Sequence, residues 1–278
     1  MIYAIVVTYN PEQALIDSQF ESLVNQVDGV IYVDNASSNA TVFPISEKVI
    51  ILRNQVNEGL GRAQNQGLQK AKEIGVDYIL LLDQDSVLSE NTVRCLLQEL
   101  LRYEEREGHV GAIGPIIASA FDNRDAPGVV HLGLTIGTAQ IKGTMPVTYN
   151  IASGSLIPLT VIDKVGGLEE KLFIDGLDVE WCLRARSYGY RILITDAARL
   201  YHRLGEGKKD RVLNHSTFRE YYIVRNSIIF LSYRHVPVSY KVRKFFLSIM
   251  RVLSSLIRLR LKYFIAGLRG LIDGFKCI

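Results

Sequence analysis

Short apolar blocks alternate with longer stretches of helical period over the first 115 residues. The blocks IYAIVV at 2–7, GVIYVD at 29–34, KVIILR at 48–53, DYILLL at 77–82 and VGAIG at 110–114 are nearly unbroken, the pattern of strands buried on both faces. Residues 12–27, 58–74 and 89–106 instead carry apolar positions three and four apart, which predicts helices. Strands alternating with helices imply right-handed crossovers and a mostly parallel sheet, so the expected class is α/β. No internal repeat is visible.

Open sheets of this kind bind ligands beyond the carboxyl ends of their strands. The residues at those ends are Thr8-Tyr9-Asn10, Asp34-Asn35-Ala36-Ser37, Arg53-Asn54 with Asn57, and Asp83-Gln84-Asp85. Singly, Asp34 and Asp83 read as helix caps, as does Ser89 ahead of 90–106. Four polar ends on one sheet edge read as a site. The Asp-x-Asp after YILLL places two hard oxygen donors together, which suits Mg²⁺ or Mn²⁺ bridging to a diphosphate. NEGLGRAQNQG at 57–67 puts glycines around a helix start, permitting close backbone approach to a ligand. It is not a GxGxxG, and Thr8-Tyr9-Asn10-Pro11 stands where a dinucleotide loop would be, which disfavours an oxidoreductase.

Composition narrows the class further. A chain of 278 residues, 48% hydrophobic and 22% charged, suits one large α/β domain with an appendage and excludes collagen-like, low-complexity and wholly disordered chains. Three cysteines without a CxxC point to a reducing compartment. MIYAIVVTYN has no basic n-region and reads as a first strand, and no run reaches the roughly 18–20 apolar residues of a spanning helix.

The net charge of +3 is unevenly divided. Residues 241–278 hold nine Lys and Arg against one acid, a net +8 that leaves −5 on the first 240 residues and marks a boundary near Pro237. At about 100° per residue, Lys244, Arg251, Arg258, Lys262, Arg269 and Lys276 fall within an arc of roughly 40°. Aliphatic and aromatic residues occupy the other faces. This predicts interfacial helices laid by their basic stripe on an anionic membrane surface, interrupted at Gly267, Gly270 and Gly274. Nucleic acid fits poorly because the interleaved residues are aliphatic; packing on the catalytic domain or in a homodimer is the competing reading.

FIDGLDVEWCLRARSYGYRI at 173–192 contains a helix-period stretch that starts at Asp178 and ends at Gly189, a C′ position. From the residues alone Asp178 is an N-cap, and Trp181 stacks on a sugar or lies in the core. Together with VVTYN at 6–10, VDNAS at 33–37, LLDQDS at 81–86, ASGSL at 152–156, YHRLGE at 201–206 and FREYYIVRNSIIFL at 218–231, this motif makes the chain resemble the family 2 glycosyltransferases of GT-A fold, in their rhamnosyltransferase-like branch. The resemblance extends over about residues 2–235. It implies a GT-A catalytic domain over 1–205, a connecting helical segment over 206–240 and basic amphipathic helices over 241–278.

The same resemblance implies an inverting, metal-dependent transfer of L-rhamnose from dTDP-L-rhamnose to a lipid-linked saccharide, by a cytoplasmic enzyme peripheral on the inner face of the plasma membrane. Thr8, Tyr9, Asp34, Asn57, Asn65 and Asp83 are then donor-binding, and Asp85, His202 and Asp83 hold Mn²⁺ or Mg²⁺. Asp178 becomes the catalytic base, with Ser153, Gly154, Asp175, Glu180 and Trp181 on the acceptor side. A UDP-hexose donor and a catalytically silent nucleotide-sugar-binding subunit are the alternatives.

Overall fold

The computed structural model describes residues 1–119, 125–202 and 216–278, with residues 119, 201 and 202 by backbone alone. The chain begins β1 (Ile2–Thr8), α1 (Gln13–Leu23), β2 (Gly29–Asp34), β3 (Val49–Arg53), α2 (Leu60–Ile74), β4 (Tyr78–Asp83), β5 (Ser86–Leu88), α3 (Thr92–Glu107) and β6 (Val110–Ser119). The five apolar blocks are five of these strands, and the three periodic stretches are the three helices. Strand β5 is the addition, a three-residue piece directly behind the Asp-x-Asp. Ser89 does not cap α3; the capping position is Asn91, in the left-handed region at φ 60°.

There follow β7 (Gly128–Leu132), β8 (Ile136–Ala139), β9 (Thr144–Val147), β10 (Ser155–Pro158), α4 (Leu159–Val165), α5 (Leu177–Ser187), β11 (Arg191–His202), α6 (Thr217–Ile229), α7 (Val238–Ile257) and α8 (Leu261–Lys276). The main sheet has the order β3-β2-β1-β4-β10-β6-β11-β5, with β9 paired on β11. β1 to β4 are mutually parallel, whereas β10 enters antiparallel between β4 and β6.

Side-chain alternation along the strands divides the core into two layers. Ile5, Ile31, Ile79 and Leu81 face α2, α4 and α5, packing with Ala63, Leu68, Ile162 and Trp181. Ala4, Val6, Tyr32, Leu80 and Leu82 face α1 and α3, packing with Ile16, Leu23, Leu96 and Leu100. Each fully buried aliphatic side chain contributes about 1.5–3 kcal/mol. The register pairs Thr8 with Asp34 and Val7 with Asp83, so the polar ends of β1, β2 and β4 share one edge.

The tail departs from its helical-wheel reading. Gly267, Gly270 and Gly274 do not interrupt a helix; all three lie inside α8 and are buried against neighbouring side chains and the α6 backbone. The break falls instead at Arg258–Arg260, where Leu259 has φ 55°. Two of the six residues of the supposed lipid-facing stripe point inward. Lys244 sits over the rings of Phe230 and Tyr240, and Arg251 donates to both carboxylate oxygens of the buried Glu220 at 2.7 Å. A Cβ at Gly270 would lie 2.6 Å from the Tyr221 carbonyl oxygen and 3.1 Å from the Arg225 nitrogen, both rigid backbone. Gly270→Val should therefore pry α8 from α6 at a cost of about 1–3 kcal/mol. Faster amide exchange in α8 with α2 and α3 unchanged is the expected result; unaltered protection in α8 would refute the close approach.

Candidate active site

Beyond the strand ends opens a crevice of about 770 Å³, lined by Tyr9, Asn35, Asn57, Asp83, Gln84 and Asp85 on the sheet side and by Phe173, Ile174 and Phe218 opposite. Its floor is cross-braced. The Asn35 N–H donates to the Thr8 carbonyl at 2.8 Å, and the Tyr9 N–H donates to Gln84 Oε1 at 2.8 Å. Asn35 Oδ1 accepts from Asn54 Nδ2 and the Glu58 N–H, both at 3.0 Å, while its Nδ2 donates to Asn57 Oδ1 at 2.9 Å. Asp34, nearly buried, accepts the Ser37 N–H at 3.1 Å, and Thr8 is fully buried beneath the edge.

Asp83 closes β4, and Gln84-Asp85 turn the chain into β5. That turn is held from below. Ser153 Oγ accepts the Asp83 N–H at 3.1 Å and lies 2.7 Å from Ser86 Oγ, and Gln19 Nε2 donates to the Asp83 carbonyl at 2.5 Å. Ser153, expected on the acceptor side, is thus buried under the aspartates, because its hydroxyl is needed there. Gly154 donates to the Leu81 carbonyl at 2.7 Å with φ 84°, and a Cβ would press on the Pro115 ring at 2.9 Å. Conformation and space both demand glycine.

The register of β11 on β5 sets the backbone of His202 opposite Ser86, next to Asp85 in sequence. The His202 side chain and most of YHRLGE lie outside the described residues. Among the described residues no three His, Cys, Asp or Glu side chains form a metal cage. The donor chemistry of Asp83 and Asp85, two carboxylates on one crevice wall, nonetheless fits a hard divalent cation.

The opposite wall is the turn entering α5. Phe173, Asp175 and Gly176 have φ of 64°, 65° and 89°, a strained run that needs external support. α2 and α6 supply it. The Phe173 carbonyl accepts the Leu60 N–H at 2.6 Å, and Asn226 Nδ2 donates to the carbonyls of Leu172, Ile174 and Asp175 at 2.9, 2.6 and 2.9 Å. Arg219 grips the Asp175 carboxylate, with Nε 3.0 Å from both oxygens and Nη2 at 2.7 Å. Phe173 stacks on Tyr222 with centroids 4.7 Å apart, and Phe218 meets both edge-on.

Asp178 is not the N-cap of α5. Gly176 holds that position, and Asp178 lies within the first turn, where its Oδ1 accepts the Val179 N–H at 2.8 Å. Enclosure by protein pushes its carboxyl up to about 6, with the charges of Asp83 and Asp175 adding and the Val179 N–H opposing. The charge of Asp83 thus reaches Asp178. A carboxylate held this way is ionised at neutral pH and a competent proton acceptor.

Three expected site residues are spent on structure. Asn65 faces away from the crevice: its Oδ1 accepts the Leu168 N–H at 2.8 Å and its Nδ2 donates to the Leu168 carbonyl and Glu170, which ties α2 to the 166–170 loop. Glu180, 1% exposed, takes Arg184 Nε and Nη2 at 2.9 Å and lies 3.0 Å from His235 Nε2. Burial would raise its carboxyl, but these contacts outweigh it and leave the pKa lowered. Trp181 is a core residue whose Nε1 donates to the Gly166 carbonyl at 2.9 Å.

Other residues emerge only in three dimensions. Phe173 and Phe218 line the crevice, and their presence inside the motifs FIDGLD and FREYY was the available signal. Lys244 had none. Burial lowers its pKa while the charges of Asp175 and Asp178 resist. Phe230, under that ammonium, borders Gly176.

An open α/β sheet whose strand ends set paired aspartates on a crevice wall, with an enclosed carboxylate in the helix that follows the opposite wall, is the architecture of a GT-A glycosyltransferase. The chain belongs to glycosyl transferase family 2, whose family model matches residues 3–158. Over its full length it is 29% identical to the dTDP-rhamnosyl transferase RfbF of Shigella flexneri, covering 96% of that protein. It is 28% identical over 131 residues to a UDP-N-acetylglucosamine–dolichyl-phosphate N-acetylglucosaminyltransferase of Methanococcus voltae, covering 40% of this chain and 51% of the relative. Residues 1–349 of S. aureus TarS in complex with UDP-GlcNAc share the fold at TM-score 0.61 and 18% identity, over 100% of this chain and 81% of the other. GalNAc-T7 with UDP, GalNAc and Mn²⁺ does so at 0.60 and 13%, over 88% of this chain and about half (53%) of the longer one.

Proposed function

We propose that this enzyme moves L-rhamnose from dTDP-L-rhamnose, with inversion, onto a lipid-linked saccharide during assembly of a bacterial surface polysaccharide such as O-antigen, capsule or cell-wall glycan. The observation that carries the transfer chemistry is the pair Asp83 and Asp85 on the crevice wall together with the raised carboxyl of Asp178, which feels the charge of Asp83 from the first turn of α5. The full-length similarity to a dTDP-rhamnosyl transferase supports the donor.

In this reading Tyr9, Asp34, Asn35 and Asn57 hold the nucleoside along the sheet edge. Asp83, Asp85 and His202 hold Mn²⁺ or Mg²⁺, which when bound neutralises charge on the leaving diphosphate. Asp178 takes the proton of the acceptor hydroxyl as its oxygen bonds to the anomeric carbon and the bond to the diphosphate breaks on the opposite face. One displacement inverts the anomeric centre. Asp175, fixed by Arg219, keeps the turn in register and adds negative charge beside the base. No described helix is long and apolar enough to cross a membrane; the enzyme works as a peripheral protein on the inner face of the plasma membrane, with residues 241–278 at the anionic lipid.

A panel of nucleotide sugars, each with and without Mn²⁺, tests the donor by thermal unfolding. At about 100 times its Kd a ligand adds about 2.7 kcal/mol of stability, which raises Tm by about 5 °C or more in a chain of this size. dTDP-L-rhamnose with Mn²⁺ should give that shift and UDP-hexoses little. Equal or greater protection by a UDP-hexose would move the assignment to that donor.

A further inference from the structure

α7 and α8 are two amphipathic helices with different inward faces, because the turn at Arg258–Arg260 resets their phase. On α7 the basic and small polar residues turn inward: Lys244 toward the α5 turn, Arg251 onto Glu220, and Ser248 and Ser255 into the packed face. The residues left outward are apolar, with Phe246, Met250 and Ile257 61–81% exposed within an arc of about 40°. α8 seats its glycines on the protein and turns out Ile265, Ile272 and Phe275, 48–51% exposed. Around these rows stand the exposed cations Arg258, Arg260, Lys262 and Arg269, none with an ion pair among the described residues.

An apolar surface of this extent, rimmed by charge, marks an interaction site. A second copy is a poor occupant, because a two-fold interface sets the same patch against itself and would bring these cations together. Asp273, the one acid of the tail, is already engaged by Lys276 and Tyr221. An anionic bilayer meets both requirements, offering hydrocarbon to the apolar rows and phosphate to the cations.

We propose that the outer surface of α7 and α8 is a membrane seat, lying in the plane of an anionic bilayer with its apolar rows in the headgroup–acyl boundary and Arg258, Arg260, Lys262 and Arg269 at the lipid phosphates. This rests on the reading that the acceptor is lipid-borne, and it changes how the surface is held. Apolar insertion does the anchoring, and charge only assists. α7 meets Phe230, which borders Gly176 of the catalytic turn, through Lys244 on one side and lipid on the other, so α7 stands between that turn and the bilayer. A sugar next to its lipid carrier is thereby brought to Asp178.

The test is sedimentation of the full chain with vesicles of phosphatidylcholine and phosphatidylglycerol, at about 0.1 M and about 0.5 M salt, where the Debye length falls from about 10 Å to about 4 Å. The native chain should bind and keep most of its binding at the higher salt. The triple variant Phe246→Ser, Met250→Ser, Ile257→Ser alters only exposed side chains and should bind about 100-fold more weakly with unchanged thermal unfolding. The double variant Lys262→Gln, Arg269→Gln should lose much less. Native-like binding by the triple variant, or binding abolished by salt alone, overturns the apolar seat. A dimer in light scattering that the triple variant converts to monomer, without vesicle binding, assigns the face to a second copy and also overturns it. Protection of the same proteins by dTDP-L-rhamnose reads the donor assignment separately: protection without vesicle binding defeats the seat and leaves the proposed transfer standing.

Discussion

Asp178→Asn is expected to fold, to bind donor as the native chain does, and to transfer sugar about 10²–10⁴-fold more slowly. Asn keeps the oxygen that accepts the Val179 N–H in the first turn of α5 but has no charge with which to take a proton. The native carboxyl, pushed up to about 6, titrates above its value of 3.8 in an unfolded chain. Two pH effects follow. Activity of the native enzyme should fall as pH drops through about 6, whereas the residual rate of the variant should lack that limb. The folded state also binds this proton more readily than the unfolded one, so the ionised group opposes folding above about pH 6, and that cost is relieved as pH falls from 6 toward 4. Asp178→Asn should consequently melt no lower than the native chain at neutral pH. Near-normal turnover by a folded Asp178→Asn enzyme would leave this carboxylate a structural role only and direct attention to Asp175, despite its clamp on Arg219.

Asp85→Ala should remove metal-dependent affinity for a nucleoside diphosphate, by about 100-fold or more in titration calorimetry with dTDP and Mn²⁺, and should leave the weak metal-free binding in place. Asp85 sits on the turn between β4 and β5, and the bracing of that turn runs through the Asp83 N–H, Ser153 and Ser86, none of which needs the Asp85 carboxylate. The fold is therefore expected to survive. Undiminished Mn²⁺-dependent affinity would show that the metal is held elsewhere. Ser153→Ala offers the complementary case, weakening the same binding indirectly by loosening Asp83.

Local pattern carried the architecture a long way. Strands β1 to β4 and β6 stand out because buried parallel strands need continuous apolar runs, and the polar residues at their carboxyl ends mark the ligand edge because open α/β sheets bind ligands there. Asp83 and Asp85 were legible for the same reason. β5 was not, since three residues carry too little periodicity to separate from the flanking turn. The antiparallel entry of β10 between β4 and β6 depends on pairing partners far apart in sequence.

What the chain determined by itself is the set of elements, the edge at which they meet solvent, and the types of chemistry gathered there. Tertiary structure decided how each polar group is used. A side chain with the right chemistry serves a ligand only if no neighbour claims its hydrogen bonds first. Asn65 is claimed by Leu168 and Glu170, Ser153 by Asp83, and Glu180 by Arg184 and His235, while Asp178 accepts the N–H of its own neighbour Val179. The tail obeys the same logic. A helical wheel reveals a basic stripe but not its direction, and the direction was set by Glu220 and the acids of the α5 turn, which drew Arg251 and Lys244 inward and left the apolar side of α7 exposed.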